Sequence, residues 1–293
     1  MSTSFSSRIN IKLSHIQCLS GNQLKMIAAI CMLIDHVTKV FYGSIALQIF
    51  NPMLDAGQMT AEQLMRIQGF IDFLCGIGMI AFPVFAFAFA EGFAHTHSKM
   101  RYLLRLTVFA LTTEFFFDTT FFSGVDPDTW PWYWWHQNVF FTYLLALCAL
   151  WLMEQVNKLR IKPLSFLLQG MIVLAVCFVA QFYIRGDYGG FGVFLIIVIY
   201  LLRKNRLLQV VGMLSAKFII EGWYHPNSFL FSLGNYEVIS FLISLVLILL
   251  YNGKRGEKNL KPFFYGFYPI HIAVIGFVDW LVFSVLWSAL YSA

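Results

Sequence analysis

The stretch Leu24-Lys-Met-Ile-Ala-Ala-Ile-Cys-Met-Leu-Ile-Asp-His-Val-Thr-Lys-Val-Phe-Tyr42 decides the fold class of this chain. Its 19 residues are about the length a helix needs to cross the hydrocarbon core of a bilayer. Yet Asp35 and His36 lie well inside it. A carboxylate and an imidazole are costly in hydrocarbon, so such groups face a protein interior or a water-filled cavity and are functional candidates by default. The stretch therefore predicts an integral membrane protein with chemistry or transport inside the bilayer.

The composition points the same way. The 293 residues are 59% hydrophobic and 12% charged, about half the charged fraction of a soluble domain. Such a chain is expected to be all-α, a polytopic transmembrane helical bundle embedded in the lipid bilayer. The net charge of +5 implies no nucleic-acid partner, because the basic residues sit in short loops and form no stripe. The five cysteines (Cys18, Cys31, Cys75, Cys148 and Cys177) are unevenly spaced and contain no CxxC, which argues against a disulfide framework or zinc site; no metal is expected. The polar start has no signal-peptide core, and no small-residue cleavage site follows the first apolar run, so that run is expected to stay as the first helix. The expected organisation is a cytoplasmic tail over 1–23 and a single transmembrane domain over 24–293.

Nine apolar segments stand out, over 24–42, 71–93, 102–122, 138–153, 164–183, 189–202, 206–221, 236–251 and 263–289. No internal repeat or linker interrupts them. Basic residues alternate between the loops. The tail carries Arg8, Lys12 and Lys25, and every second loop carries a cluster: Lys99, Arg101 and Arg105; Lys158, Arg160 and Lys162; Arg203, Lys204 and Arg206; Lys254, Arg255, Lys258 and Lys261. The intervening loops hold Arg66 and Arg185, and the third holds Asp118, Asp126 and Asp128 with no Lys or Arg. The positive-inside rule then places the N-terminus in the cytoplasm and the C-terminus outside, with an odd number of crossings. The run Trp130-Pro-Trp-Tyr-Trp-Trp135 reads as an interfacial belt, with a stacking platform for a sugar or peptide as the second reading.

At 1.5 Å per residue, Asp35, His36, Glu114 and Lys217 fall about 16–18 Å from the cytoplasmic end of their helices, and His271 about 12 Å. The sequence thus predicts a layer of ionisable groups from four helices. Asp35 and His36 are neighbours about 100° apart on the helix, so each should find partners elsewhere. Lys39, four residues on, can neutralise Asp35; alternatively Asp35 orients a histidine of another helix. His36 reads as a catalytic base or a structural hydrogen-bonding histidine. His271 follows Pro269, which removes a backbone donor and can open the helix. Glu91 and His95 share a helix face and read as a solvated end or a charged rim to the site. Arg101 and Arg105 repeat that spacing and read as topological anchors or as a guanidinium fork for phosphate.

The ordered motifs Leu24 to His36, Ala81-Phe-Pro-Val-Phe-Ala-Phe87, Glu91-Gly-Phe-Ala-His-Thr96, Tyr102-Leu-Leu-Arg-Leu106, Asn138-Val-Phe-Phe-Thr142, Asp187-Tyr-Gly189 and Tyr268-Pro-Ile-His271 resemble the TraX family, named for pilin N-acetylation in conjugation systems. The resemblance spans about residues 24–275. The family usually has an arginine before the Ala-Phe-Pro motif and small residues after Asp-His; this chain has Met79, and Thr38 and Lys39. The family is also distantly similar to the acyltransferase-3 membrane proteins.

The resemblance implies a multi-pass acyltransferase of the bacterial inner membrane. Its donor would be acetyl-CoA from the cytoplasm, and its acceptor an amine or hydroxyl of a pilin-like peptide or an envelope glycan. His36 would be the base, Asp35 or Glu114 would orient a histidine, and His271 or Asn138 would steady the oxyanion. Arg101 and Arg105, with Glu91 and His95 at the rim, would receive the donor. A proton-coupled transporter built on the intramembrane charges is the rival class, although no inverted repeat is visible. A non-catalytic assembly factor for pili or conjugation is a third.

Overall fold

A computed structural model describes residues 16–122, 131–224 and 235–287. Arg8, Lys12, Asp126, Asp128 and Trp130 lie outside the described residues. Among those described, every regular element is helical, and strand-like pairing is limited to two isolated bridges, Leu19 with Tyr251 and Gln137 with Gly186.

Each apolar segment forms a helix. Helix α1 is Gly21–Ile45, followed without a break by a π-turn over Ala46–Phe50 and the short α2, Asn51–Asp55. Then come α3 (Ala61–Gly78), α4 (Ala81–Ala94), α5 (Lys99–Phe121), α6 (Val139–Val156) and α7 (Lys162–Val179), the last continued by a π segment over Ala180–Ile184. Helices α8 (Gly189–Leu201), α9 (Arg206–Tyr224), α10 (Tyr236–Leu249) and α11 (Lys261–Asp279) complete the bundle, with a final π segment over Trp280–Trp287. Ser20, Thr60, Ser98, Asn138 and Asn235 each cap a helix start with a side chain. Ser20 and Gln23 form a capping box, with Ser20 N donating to Gln23 Oε1 at 2.9 Å and Gln23 N to Ser20 Oγ at 3.3 Å.

The second segment departs from expectation. It was expected over 71–93; helix instead begins at Ala61, behind a Thr60–Gln63 capping box, and breaks at Met79 and Ile80 into α3 and α4. The first turns of α3 are exposed and polar, with Arg66 donating to Glu62 at 2.7 Å, so an apolar window passes over them.

Helices α4 and α8 sit at the centre. Helix α8 packs on α4, α6, α7 and α9, and its Val193, Leu195, Ile196, Ile197 and Ile199 are buried. It has 13 residues, about 20 Å of helix, less than the thickness of a bilayer core. The outer helices expose apolar stripes at helical spacing: Ile30, Leu33 and Val37 on α1; Leu104, Val108, Leu111 and Phe115 on α5; Phe166, Leu167, Met171, Leu174 and Phe178 on α7. Stripes of this extent belong against lipid. Among the described residues, four helices are long and apolar enough to cross a membrane by length and composition alone: Ala61–Ala94, Val139–Val156, Lys162–Ile184 and Lys261–Val285. Helices α1, α5 and α9, which carry Asp35 and His36, Glu114 and Lys217, fall outside that set, whereas α11, which carries His271, is within it.

Two glycines allow the close packing that frames the site. A Cβ on Gly78 of α3 would fall 2.1 Å from the Cβ of Asp35, and one on Gly76 would fall 2.6 Å from the Cβ of Tyr236. Only a residue without a side chain lets α3 meet α1 and α10 at this distance.

Candidate active site

His36 of α1 and His271 of α11 meet edge to edge. Their ring planes are 7° apart with centroids at 4.9 Å, and His36 Nδ1 lies 2.7 Å from His271 Nε2. His271 Nδ1 lies 2.7 Å from the carbonyl of Phe267. A carbonyl can only accept, so with both rings neutral the protons are ordered. His271 carries its proton on Nδ1 and accepts at Nε2; His36 therefore donates from Nδ1, and its Nε2 keeps a free lone pair. His36 Nε2 is 4.0 Å from Asp35 Oδ2, and Asp35 in turn accepts from Lys39 Nζ at 2.7 Å. Asp35, His36 and His271 are all less than 10% exposed, whereas the Lys39 side chain is half exposed.

A cavity of about 250 Å³ opens beside His36. Asp35, His36 and Lys39 line it with aromatic residues of α4, α5, α6 and α11, among them Phe82, Phe117, Tyr143, Phe264 and Tyr268. At the Lys39 end it is also lined by His136, Asp187 and Tyr188. Local backbone chemistry puts them there. Arg185 turns the chain with φ 53°, Gln137 N donates to Arg185 O at 3.1 Å, and Gly186 rests on Thr142, where a Cβ would come within 2.8 Å of Oγ1. This turn brings Asp187 to 3.3 Å from His136 Nε2 and stacks Tyr188 on Phe82 with centroids 3.5 Å apart.

The expected layer of ionisable groups divides. His36, Asp35 and His271 come together as one cluster. Glu114, although at a similar level, does not line the cavity: its Oε2 accepts from Asn138 N at 3.0 Å and Asn138 Nδ2 at 2.5 Å. Asn138 caps α6, and its Nδ2 also donates to Ala110 O at 2.9 Å while its Oδ1 accepts from Phe140 N. Its amide protons are directed into the α5–α6 contact, which leaves none for an oxyanion. Lys217 is a correction to the layer: it pairs with Glu237 of α10, which packs on α3, α4 and α9, whereas the α11 of His271 packs on α1 and α5. Depth along a helix axis says nothing about azimuth, and azimuth separates these groups. Asp35 and His36, although about 100° apart on the helix, still bring Oδ2 to 4.0 Å from Nε2. The histidine of α11 orients His36, a role the sequence reading had assigned to a carboxylate.

At the opposite end of the bundle, Glu91 lies 4.0 Å from Arg206 and does not face His95, which is exposed at the end of α4. Arg101 and Arg105 are exposed, and among the described residues neither is in an ion pair. Arg105 reaches α11, its guanidinium 5.9 Å from the Tyr265 ring. In the Trp-rich run, Trp132, Trp134 and Trp135 are exposed, and Arg185 lies over Trp135 at 4.4 Å. Sequence reasoning had not singled out His136 as a site residue. It was findable only as the histidine just before the Asn138 cap. Lys39 had been weighed only as the neutralising partner of Asp35.

Fold and site together define a polytopic helical membrane protein with a buried histidine pair opening on an aromatic cavity. The TraX protein family model matches residues 20–279, and the chain belongs to that family. It is similar to a protein described as "Probable fimbrial assembly protein FimC, serogroup H1" of Dichelobacter nodosus, with 28% identity over 271 residues, covering 87% of this chain and 94% of that protein. No solved structure matches.

Proposed function

We propose that the protein is an acyltransferase that moves acetyl from acetyl-CoA to an amine or hydroxyl acceptor. The observation that carries this reading is the His36–His271 pair, whose hydrogen-bond order leaves a lone pair on His36 Nε2 at the cavity wall. In the proposed reaction His36 Nε2 takes the acceptor's proton as its nitrogen or oxygen attacks the thioester carbon. The new bond to the acyl carbon forms, the carbon–sulfur bond breaks, and the imidazolium returns the proton to the departing thiolate. His271 holds the ring and its tautomer. Asp35 Oδ2, at 4.0 Å, offsets the charge that develops on the imidazolium, and Lys39 Nζ, placed by Asp35 at 2.7 Å, steadies the oxyanion. Glu114 and Asn138 support the site by clamping α5 to α6.

The membrane in question is the bacterial inner membrane. The chain crosses it nine times, with the N-terminus in the cytoplasm and the C-terminus outside. The Gly21 end of α1 and the Lys261 end of α11 then face acetyl-CoA in the cytoplasm, where Arg105 and Arg101 can meet its phosphates. The Lys39, His136 and Asp187 end faces the acceptor. The fimbrial-assembly description of the relative favours a pilus or fimbrial component as that acceptor. Cysteine labelling tests the orientation: Gln58→Cys should react with an impermeant reagent in intact cells, and Glu257→Cys should not. The reverse pattern would invert the topology.

Purified protein supplied with acetyl-labelled acetyl-CoA and an acceptor peptide tests the activity. Transfer or thioester hydrolysis is expected, falling about 10²–10⁴-fold in His36→Gln. Solute uptake by vesicles without either reaction would favour a carrier, and neither reaction nor uptake would favour an assembly factor.

A further inference from the structure

Helices α1 and α11 repeat the same order of side chains. Lys25 precedes His36 by 36 − 25 = 11 residues, and Lys261 precedes His271 by 271 − 261 = 10. The two intervals rise about 16 and 15 Å, so helices whose histidines touch also bring their lysines to one level. Lys25 Nζ sits over the ring of Phe264 at 4.5 Å, and Phe264 lines the cavity. Met32, two turns after Lys25 on the same face of α1, lines it too.

A third cation joins them. The loop before α11 is tied to the start of α1: Gly21 N donates to Lys254 O at 2.8 Å, Asn22 N to Arg255 O at 2.9 Å, and Asn22 Nδ2 to Lys258 O at 2.8 Å. Arg255 and Lys261 lie close enough that their positive charges bear on Lys25. Glu257, the acid of the loop, is in no ion pair with any of the three, and none of the three has an ion-pair partner among the described residues. The fold thus gathers like charges beside the N-terminus of α1, whose dipole adds to them, next to Phe264, which lines the same cavity as His36. Like charges held together without an acid are stabilised by a bound anion.

We propose that Lys25, Lys261 and Arg255 form a phosphate seat, and that it takes the phosphates of the thioester donor. This rests on the acyl-transfer reading for the identity of the donor. About 16 Å of helix separates the seat from His36, which a pantetheine arm lying along Met32 and Phe264 would span. An anionic lipid headgroup offers the same phosphate chemistry, and the test separates the two.

The full chain, purified in detergent, is titrated at equilibrium with acetyl-CoA and with S-acetylpantetheine, which lacks the nucleotide and its phosphates. The Lys25→Gln/Lys261→Gln variant should bind acetyl-CoA roughly 100-fold more weakly and S-acetylpantetheine unchanged. Lys25→Arg/Lys261→Arg should restore acetyl-CoA binding. Unchanged acetyl-CoA affinity in the Gln variant overturns the seat, as does equal loss of both ligands. Loss of co-purifying phosphatidylglycerol with acetyl-CoA binding intact assigns the cations to lipid and also overturns it. Binding needs no turnover. A protein that binds acetyl-CoA through these lysines yet transfers nothing keeps the seat and refutes the transferase; transfer with an unaltered KM in the Gln variant does the opposite. A wild-type chain that binds no acetyl-CoA refutes both.

Discussion

Two buried polar clusters lie side by side in this bundle, and they differ in what is left over. Between α5 and α6, Glu114 accepts two hydrogen bonds from Asn138, whose side chain also holds Ala110 O and Phe140 N. Between α1 and α11, the hydrogen bonds run in one direction, from His36 to His271 to Phe267 O, and end with a free nitrogen facing a cavity. The residue types are equally polar and the burial is similar. A closed network rigidifies, whereas a network with one unspent acceptor can do chemistry.

The largest expected effect tests the open cluster. If His36 and His271 act as a unit, His36→Gln and His271→Ala should each cost about 10²–10⁴-fold in kcat, and the double variant little more than the worse single one, because coupled residues are strongly non-additive. Steady-state transfer rates decide this; additive losses would separate the two histidines. Next, Lys39→Met should lower kcat by about 10²–10³-fold with little change in donor binding if its ammonium steadies the oxyanion. A KM effect alone would make Lys39 an acceptor contact.

The closed cluster should answer in stability rather than in rate. Asn138→Ala strands Glu114 in the α5–α6 contact and removes the cap of α6, for a loss of about 2–4 kcal/mol. The melting temperature in detergent should fall, while the folded fraction keeps its turnover number. A large drop in kcat at full stability would join the two clusters into one site. Gly78→Ala lies between the cases. Its methyl would press on Asp35, costing about 1–3 kcal/mol of stability and disturbing the Lys39 pair as well. The smallest effects belong to the exposed arginines: Arg105→Ala should weaken acetyl-CoA binding about tenfold or less, and Arg101→Ala less still, since Arg105 alone of the two reaches α11.

Much of the bundle was legible before any contact was known. Apolar runs locate helices because lipid tolerates no unpaired backbone, and most helix ends fall within a few residues of those runs. The start of α3 escaped because its exposed turns carry Glu62 and Arg66, so no apolar signal marks them. His36 and His271 were each legible as intramembrane histidines. That they touch was not, because 235 residues separate them and only the packing of α1 on α11 sets their mutual angle.

The sequence by itself determined that this is a helical membrane protein, where its helices run, which family it belongs to, and that histidine and acid lie within its spans. Hydropathy, capping and residue type are local properties that survive in a one-dimensional string. The tertiary structure decided which buried polar groups are spent and which are free. It paired Lys217 with Glu237, closed Glu114 onto Asn138, laid Asp35 against Gly78 and left His36 Nε2 open to the cavity. Those outcomes depend on the rotation of each helix about its axis, which is set by side chains interlocking across helix pairs that are distant in sequence.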